Sequence, residues 1–430
     1  MLISFALANN LKFHQVDIKS AFLNAPLKED VYLRPPEGMN ISQDKMLRLN
    51  KALYGLKQAP QAWNDTLISF LCSIKFRRCE AEPCLLWRTG TFLYIHVDDI
   101  AVFSKEPDLF VDQLKSRFDI KDLGRADLLL GMKVTQETDH ITLSQSHYVD
   151  TLLNKMNINH LPPSKTPMKL HTKLIAATKD ERNSFDALKV NFRAAIGALN
   201  YLSCTTRPYI SFAVGCLSQF LSKPGIKHWD ACIQVFQYLK GTKEYCLKIS
   251  KQKNFDSLIG YSDADWGNCK QTRRSISGYV IEWNGSVIAW KLKKQSTVAT
   301  SSAQAEYQAI SDLVKEVMWM KIILKKCFNI KMKVPTTIYE DNKSAIDLAN
   351  NNANHSSFRT KHMSIKYHFI RQEIKLKHIQ LQYIKSENML ADFLTKPVGK
   401  TIFSRTIQAL NLSAQRLKVI DQGGVLNYQA

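Results

Sequence analysis

Short apolar runs that alternate with helical patterns fill the first 155 residues and predict strands separated by helices. The clearest run, FLYIHVDDIAVF at residues 92–103, predicts an apolar hairpin with two acids at its centre. The opening MLISFALANN is also apolar, but it has neither a preceding cationic residue nor a clear small-residue cleavage site. It therefore predicts a helix rather than a signal peptide.

The pattern changes twice further along the chain. A Pro-rich stretch, LPPSKTPM at residues 161–168, leads into helical runs around 191–204 and 228–241 and predicts a linker or connection region. From about residue 255 the predicted order is three strands, helix, strand, helix, strand and helix, which indicates an α/β module with a mixed sheet. The strands expected there are 258–266, 277–283, 287–293 and 336–340, with a helix from Ser302.

These patterns predict a multidomain chain that combines α/β and α+β domains. The expected bounds are 1–155, 156–254 and 255–400, followed by an irregular tail at 401–430.

Composition narrows the classes of protein that fit. The chain has 430 residues, of which 45% are hydrophobic and 23% charged, so wholesale disorder is excluded. The formal net charge of +21 favours a polyanionic partner, either nucleic acid or an anionic membrane surface. No apolar run of roughly 18 residues and no lipid-facing amphipathic segment stands out, so we expect no membrane partner.

The nine cysteines are odd in number and form no C-x-x-C pair. This usage argues against a zinc site and against a disulfide framework. We expect an intracellular protein that is not secreted.

The first candidate chemistry lies in the apolar hairpin, where Asp98 and Asp99 are adjacent. Burying two unpaired carboxylates is costly because each loses its hydration and they repel each other, so the pair requires a cation. Asp17 lies in a second apolar run, and if the two strands are neighbours the three carboxylates suit magnesium. The alternative is that adjacent aspartates form only a polar turn.

Four sequence segments carry a resemblance. VDIKSAFLN (16–24), YLRPPEG (32–38), LYGLKQAPQAW (53–63) and YIHVDDI (94–100) resemble, in order, the reverse transcriptase of copia-type LTR retrotransposons. The resemblance implies a palm and thumb fold in which Asp17, Asp98 and Asp99 are the metal-binding polymerase carboxylates. It also implies that Phe22 stands under the sugar of the incoming dNTP and that Gln58 lies at the edge of the nucleotide pocket. Without the resemblance, Phe22 is better interpreted as a core aromatic.

Two departures from the family pattern affect the expected polymerase activity. His96 precedes Val-Asp-Asp where the family usually has Tyr. The family also has a long fingers segment before the Val-Asp-Ile motif, which begins here at residue 16. That segment supplies basic groups for the triphosphate, so we expect RNA-templated DNA synthesis to be impaired.

A second set of acids lies in the C-terminal module. Asp263 is on its first strand, Asp341 follows the strand at 336–340, and Asp392 precedes the last predicted helix. Glu306 continues the apolar stripe Ile310, Leu313 and Val317, so it should face the sheet from a helix capped by Ser301 and Gln304. Taken singly, each acid is better interpreted as a cap or surface residue.

Together and in this fold order, the four acids resemble the D-E-D-D set of ribonuclease H. RRSISGY (273–279), WKLKKQSTVA (290–299), SSAQAEY (301–307) and RTKH (359–362) resemble the copia-type version of that domain, although Gln304 stands where the family usually has Glu. The resemblance implies that these acids hold two Mg²⁺ ions, with Mn²⁺ as a substitute, for hydrolysis of RNA in RNA–DNA hybrids.

Basic residues near this set favour a nucleic-acid partner. A cationic stretch runs from residue 359 to 378 and contrasts with a single acid there. Such a stretch grips phosphates or is only a solvated face, and His362 is as consistent with a structural role as with the site. The candidate nucleic-acid contacts are Arg273, Arg274, Arg359, Lys361, His362 and Lys366.

The sequence therefore predicts a copia-type Pol polyprotein fragment with a truncated reverse transcriptase palm, a thumb or connection region and a ribonuclease H domain. Its expected partners are RNA–DNA hybrid, template-primer, dNTPs and other polyprotein products, in a cytoplasmic particle or the nucleus. The alternative is an inactive or repurposed nucleic-acid-binding relic, which would bind hybrid without cleaving it.

Overall fold

The computed structural model describes residues 1–42, 44–172, 174–269, 271–350 and 364–412. The chain forms two compact units. The smaller unit contains Leu2–Leu129 and Trp319–Lys331. The larger unit contains Met1, Leu130–Met318 and the chain from Met332 onwards.

The smaller unit is built around one antiparallel sheet. Its elements before residue 130 are α1 (Leu2–Ala8), β1 (Lys12–Ile18), β2 (Tyr32–Leu33), β3 (Leu47–Arg48), α2 (Ala59–Ser73), β4 (Arg77–Arg78), β5 (Leu85–Arg88), β6 (Thr91–His96), β7 (Asp99–Ser104), α3 (Pro107–Lys115), β8 (Ile120–Arg125) and β9 (Leu128–Leu129). Six of the strands form a sheet in the order β4-β5-β6-β7-β1-β8. The N-terminal helix and the β6–β7 hairpin are as the sequence predicts.

One apolar face of this sheet packs on helix α2. Trp63, Leu67 and Leu71 recur every four residues along α2 and are almost completely buried. Val16 and Ile18 of β1 belong to the same core cluster. Because side chains alternate along a strand, Asp17 lies on the opposite face of the sheet.

The larger unit contains the remaining strands and most of the remaining helices. They are β10 (Met132–Gln136), β11 (His140–Ser144), α4 (Ser146–Lys155), α5 (Lys179–Asp186), α6 (Phe192–Thr205), α7 (Ser211–Ser218), α8 (Ile226–Gly241), β12 (Cys246–Ser250), β13 (Leu258–Asp265), β14 (Ile276–Trp283), β15 (Ser286–Lys294), α9 (Ser302–Lys326), β16 (Thr336–Glu340), α10 (Lys343–Asn350), α11 (Ser364–Lys375), β17 (Ile379–Tyr383), α12 (Asp392–Thr395) and α13 (Lys400–Ala409). Residues Trp319–Lys326 of α9 belong to the smaller unit.

A five-stranded mixed sheet forms the scaffold of the C-terminal module. Its order is β15-β14-β13-β16-β17. The neighbours β15, β14 and β13 are antiparallel, whereas β13, β16 and β17 run parallel. The mixed sheet and multidomain α/β class predicted from the sequence are confirmed, while the exact domain bounds stay a prediction.

Helix α9 presents the predicted apolar stripe. Ile310, Leu313 and Val317 are fully buried, and Glu306 is 6% exposed. At its start, the Ser301 hydroxyl accepts a hydrogen bond from the Gln304 backbone N–H at 3.2 Å. The Gln304 side chain accepts from the Thr300 backbone N–H at 2.6 Å, so the reciprocal half of the predicted capping box closes one residue earlier than expected.

The end of the described chain differs from the expected irregular tail. Residues Lys400–Ala409 form α13, with Phe403 and Ile407 buried. Their spacing of four residues is a short helical signal.

A glycine on β14 permits the close approach of α12. A Cβ atom at Gly278 would lie 2.7 Å from the Leu394 Cβ and 2.9 Å from the Thr395 Cγ2. Neither neighbour is the far end of a flexible side chain, so a larger residue would displace α12, which begins at Asp392.

Replacing Gly278 by alanine should therefore destabilise the protein by about 1–3 kcal/mol through overpacking. The measurement is urea unfolding followed by fluorescence. Gly197→Ala is the matched control, because Gly197 is exposed inside α6 with no atom within 4 Å of its added Cβ, and it should be neutral or stabilising. Equal stability of G278A and G197A would contradict the packing role.

Candidate active sites

The first carboxylate cluster lies where β1 and the β6–β7 hairpin meet. Asp17 is paired directly with Asp99 across the antiparallel strands, and Asp98 immediately precedes β7. On its other side Asp17 is paired with Lys121 of β8. The three predicted acids are thus neighbours in space, as the sequence analysis requires.

Three hydrogen bonds fix the turn that carries these acids. The Trp63 indole Nε1–H donates to the Val97 carbonyl at 2.7 Å. The Ile18 backbone N–H donates to the Asp98 carbonyl at 3.0 Å. The Gln15 side-chain amide donates to Asp99 Oδ1 at 3.0 Å. Val97 has a left-handed φ of 59°, a strained conformation for a β-branched residue that these contacts maintain.

Repulsion among the three carboxylates affects the pKa of Asp17. Burial raises the pKa of Asp17, and the charges of Asp98 and Asp99 raise it further, while Lys121 opposes the shift. These three are not among the groups in the described ranges whose oxygens all lie within 4.8 Å of one another. The first cluster is therefore the looser of the two.

The two residues expected in the nucleotide pocket lie on elements next to this cluster. Phe22 is in a 3₁₀ helix, Ala21–Asn24, that follows β1, and its ring contacts that of Tyr54 with centroids 4.6 Å apart. Gln58 is the N-cap residue of α2, the helix that contributes Trp63. Their roles at a nucleotide stay predictions.

The second cluster brings together the four acids expected in the C-terminal module. Carboxylate oxygens of Asp263, Asp341 and Asp392 all lie within 4.8 Å of one another. A second trio, under the same criterion, consists of Glu306, Glu340 and Asp341. Asp341 belongs to both, so the two trios form one continuous acidic site at the end of the mixed sheet.

Side chains around the first trio hold its members in place. The Thr395 hydroxyl donates to Asp263 Oδ2, and the Ser386 hydroxyl donates to Asp341 Oδ2 at 2.6 Å. The Lys396 ammonium lies 3.0 Å from Asp392 Oδ1 and 3.9 Å from Asp263 Oδ1. This lysine offsets part of the negative charge of the trio.

Burial and mutual repulsion raise the pKa of several acids in this cluster. Burial, with the charge of Asp263, raises the pKa of Asp392 to about 7. Burial raises the pKa of Asp263, which Lys396 partly opposes. Burial, followed by Glu340, raises the pKa of Glu306 well above its ordinary value. One Glu306 oxygen, Oε2, is buried and has no hydrogen-bond partner among the described residues.

Sequence reasoning missed two residues of this site. Glu340 is completely buried at the end of β16, and Lys396 follows α12. The signal for Glu340 was its adjacency to Asp341, the same pattern of paired acids after an apolar strand that identified Asp98 and Asp99. No comparable signal marks Lys396, because lysines are usually surface residues.

The donor set of the second cluster fits a hard divalent cation. Five carboxylates supply only oxygen ligands, and a buried oxygen without a donor is what a cation would satisfy. The chemistry of the residues thus agrees with a metal-binding centre, whereas a purely hydrogen-bonded core would not leave this charge uncompensated.

The predicted nucleic-acid contacts are only partly described. Arg273 and Arg274 are exposed in the loop between β13 and β14. Arg359, Lys361 and His362 lie outside the described residues, as does the side chain of Lys366. In the described ranges, no helix is both long enough and apolar enough to cross a bilayer.

The raised carboxyl pKa values predict how stability depends on pH without metal. Asp392 and Glu340 have pKa values raised to about 7 and about 8, against roughly 4 in an unfolded chain. Such groups bind protons more tightly when folded, so their contribution to stability is lost as the pH rises towards 8. In EDTA, the free energy of unfolding should fall by about 1–3 kcal/mol from pH 5 to pH 8.

Asp392→Asn should reduce this fall, whereas Asp230→Asn on the exposed surface of α8 should leave it unchanged. Urea unfolding at each pH measures the difference. Parallel pH profiles for wild type and D392N would contradict the repulsion described for this cluster.

Comparison with known proteins gives matches over part and over nearly all of the chain. A family model described as reverse transcriptase (RNA-dependent DNA polymerase) matches residues 1–170. The Pol polyprotein of transposon TNT 1-94 from Nicotiana tabacum is 35% identical over 418 residues, which cover 94% of this chain and 31% of that polyprotein. The Pol polyprotein of transposon RE1 from Arabidopsis thaliana is 34% identical, covering 94% of this chain and 28% of the relative.

The chain spans about a third of the length of these relatives. Among solved structures, LC11-RNase H1 in complex with an RNA/DNA hybrid aligns at 15% identity, with a TM-score of 0.25, over 32% of this chain and 94% of that one. Residues 1–170 thus match the reverse transcriptase family, and the chain is a homologue, over nearly its whole length, of part of the Pol polyproteins of copia-type transposons.

Proposed function

We propose that residues 255–400 hydrolyse the RNA strand of RNA–DNA hybrids and that residues 1–155 form the polymerase palm of a reverse transcriptase. Residues 156–254 would be the thumb or connection and 401–430 a terminal extension. The observation that carries the proposal is the approach of Asp263, Asp341 and Asp392 within 4.8 Å, with Glu306 joined to them through Asp341. An intracellular site of action is part of the same proposal.

We infer that the cation is magnesium, because carboxylate oxygens are ligands that hard divalent cations prefer. Asp263, Glu306, Asp341 and Asp392 would hold it, two ions to the site, with Mn²⁺ as a substitute. When bound, the ions would activate water and stabilise the leaving oxygen of a phosphodiester.

The protein's own groups would orient the site. Thr395 and Ser386 each donate a hydrogen bond to one carboxylate of the set, which fixes the direction of its free oxygens. Lys396 would limit repulsion on the side of Asp263 and Asp392 while leaving Glu306 without an ion-pair partner among the described residues.

Binding of the hybrid would come from cationic side chains that contact phosphates. The proposed contacts are Arg273, Arg274, Arg359, Lys361, His362 and Lys366. Such contacts are independent of base sequence, so groove shape and 2′-hydroxyls would distinguish a hybrid from duplex DNA, and salt would weaken binding steeply.

The polymerase proposal rests on the pairing of Asp17 with Asp99 beside Asp98. These carboxylates would hold the metal ions that bind the incoming dNTP beside the template-primer. Phe22 would lie under the sugar of the dNTP, and Gln58 at the edge of the nucleotide pocket. Polyprotein products are the proposed protein partners.

Asp263→Asn or Asp341→Asn should reduce hybrid cleavage at least about a hundredfold, because each removes a charge from the proposed cation ligands. The assay follows a labelled RNA strand annealed to DNA in Mg²⁺ at two salt concentrations. Asp265→Asn is the control, since Asp265 is on the same strand but outside both trios, and it should retain cleavage. Unchanged cleavage by D263N would refute the assignment, and hybrid binding by wild type without any product would favour the relic.

Asp98→Asn should lower nucleotide incorporation by roughly a hundredfold or more, since it removes a proposed ion ligand at the first cluster. Single-nucleotide primer extension on an RNA template measures even slow rates. Asp108→Asn, in the first turn of α3, is the control and should extend like wild type. Equal rates for D98N and wild type would exclude the first cluster as the polymerase site.

A further inference from the structure

We propose that Glu340 is a fifth metal ligand of the second cluster, and that Glu306, Glu340 and Asp341 form a cation position distinct from that of Asp263, Asp341 and Asp392. This inference rests on the proposed function, because it concerns the same metal centre. It adds a residue that the four-acid pattern of the sequence does not include.

Glu340 points into the site because of its register on β16. The strand alternates buried and half-buried positions, and Thr336, Ile338 and Glu340 share the buried face. Glu340 is 0% exposed, a position where a charged residue is rarely found without a partner. A surface role for this carboxylate is therefore excluded.

Two hydrogen bonds fix the orientation of the Glu340 carboxylate. Ser262 of β13 donates to Oε2 at 2.9 Å, and the Asn342 backbone N–H donates to Oε1 at 3.1 Å. Each oxygen keeps a further lone pair, so both can still bind a cation. Hydrogen bonds that hold a ligating carboxylate in this way are typical of metal sites.

The side chain of Glu306 provides independent evidence that a ligand binds at this position. Its side chain is 94% buried, and its Oε2 atom has no hydrogen-bond partner in the described part of the chain. One Glu306 oxygen lies within 4.8 Å of oxygens of both Glu340 and Asp341. A buried carboxylate with an unpartnered oxygen beside two further acids is stabilised by a proton or by a cation that displaces the proton.

The charge distribution separates this position from the first trio. Lys396 forms ion pairs with Asp263 and Asp392. Among the residues described, no lysine or arginine forms an ion pair with Glu306 or Glu340. The side of the cluster without an ion pair among the described residues is therefore the one that contains Glu340.

The decisive variant is Glu340→Gln. Glutamine keeps the shape of the side chain, can accept from Asn342 N–H and can donate to the Ser262 oxygen, so it removes the charge while preserving both contacts. Mn²⁺ binding is measured by electron paramagnetic resonance, with Asp98→Asn and Asp99→Asn in the background to remove ions from the first cluster.

In this background the second cluster, otherwise unchanged, should bind two Mn²⁺ ions. E340Q should lower the affinity for one of these ions at least about tenfold. Glu282→Gln is the matched control, since Glu282 is a half-buried acid on β14 outside both trios, and it should bind both ions normally.

Glu340→Asp tests the same position if E340Q fails to fold. Aspartate keeps the charge, but its side chain is one methylene shorter. E340D should therefore also lower the affinity for one ion. Two ions bound with unchanged affinity by E340Q or E340D, or a single ion bound by the parent background, would overturn the proposal. These outcomes concern ion binding alone, whereas persistent hybrid cleavage by D263N would refute the proposed function whatever Glu340 does.

Discussion

Repulsion between buried carboxylates is the constraint on which the C-terminal module depends. Asp263, Glu306, Glu340, Asp341 and Asp392 meet at one end of a mixed sheet, and among the described residues Lys396 is the one lysine that forms ion pairs within the group. The hydrophobic stripe of α9 and the central strands must hold these acids together against that force. A site arranged in this way is predisposed to bind cations, because binding relieves an unfavourable interaction that folding has already created.

The two clusters differ in how deeply their acids are buried and how closely they are spaced. In the first, Asp17 lies between Asp99 and Lys121, is only partly buried, and belongs to no group within 4.8 Å in the described chain. In the second, four of the five acids are more than nine-tenths buried. The first cluster is therefore more accessible to water, while the second is more shielded from it.

Sequence patterns predicted the structure correctly wherever the spacing of apolar residues within one helix or strand determined it. The hairpin with Asp98 and Asp99, the order of strands after residue 255 and the inward direction of Glu306 all follow from periodicity. Glu340 and Lys396 were missed because their importance comes from partners on other elements, which no local pattern encodes. The helix at Lys400–Ala409 was missed because two buried positions in ten residues are a weak periodic signal.

Contact between the ends of the module has a consequence for biosynthesis. Thr395 and Asp263 are 132 residues apart in the chain yet share a hydrogen bond, and α12 has only four residues. A single helical turn is not stable by itself, so Asp392 reaches its position only when α12 docks beside Gly278. A nascent chain that has emerged from the ribosome only as far as Asp341 thus lacks one carboxylate of the second cluster, which is completed only after residues 392–395 have emerged and docked.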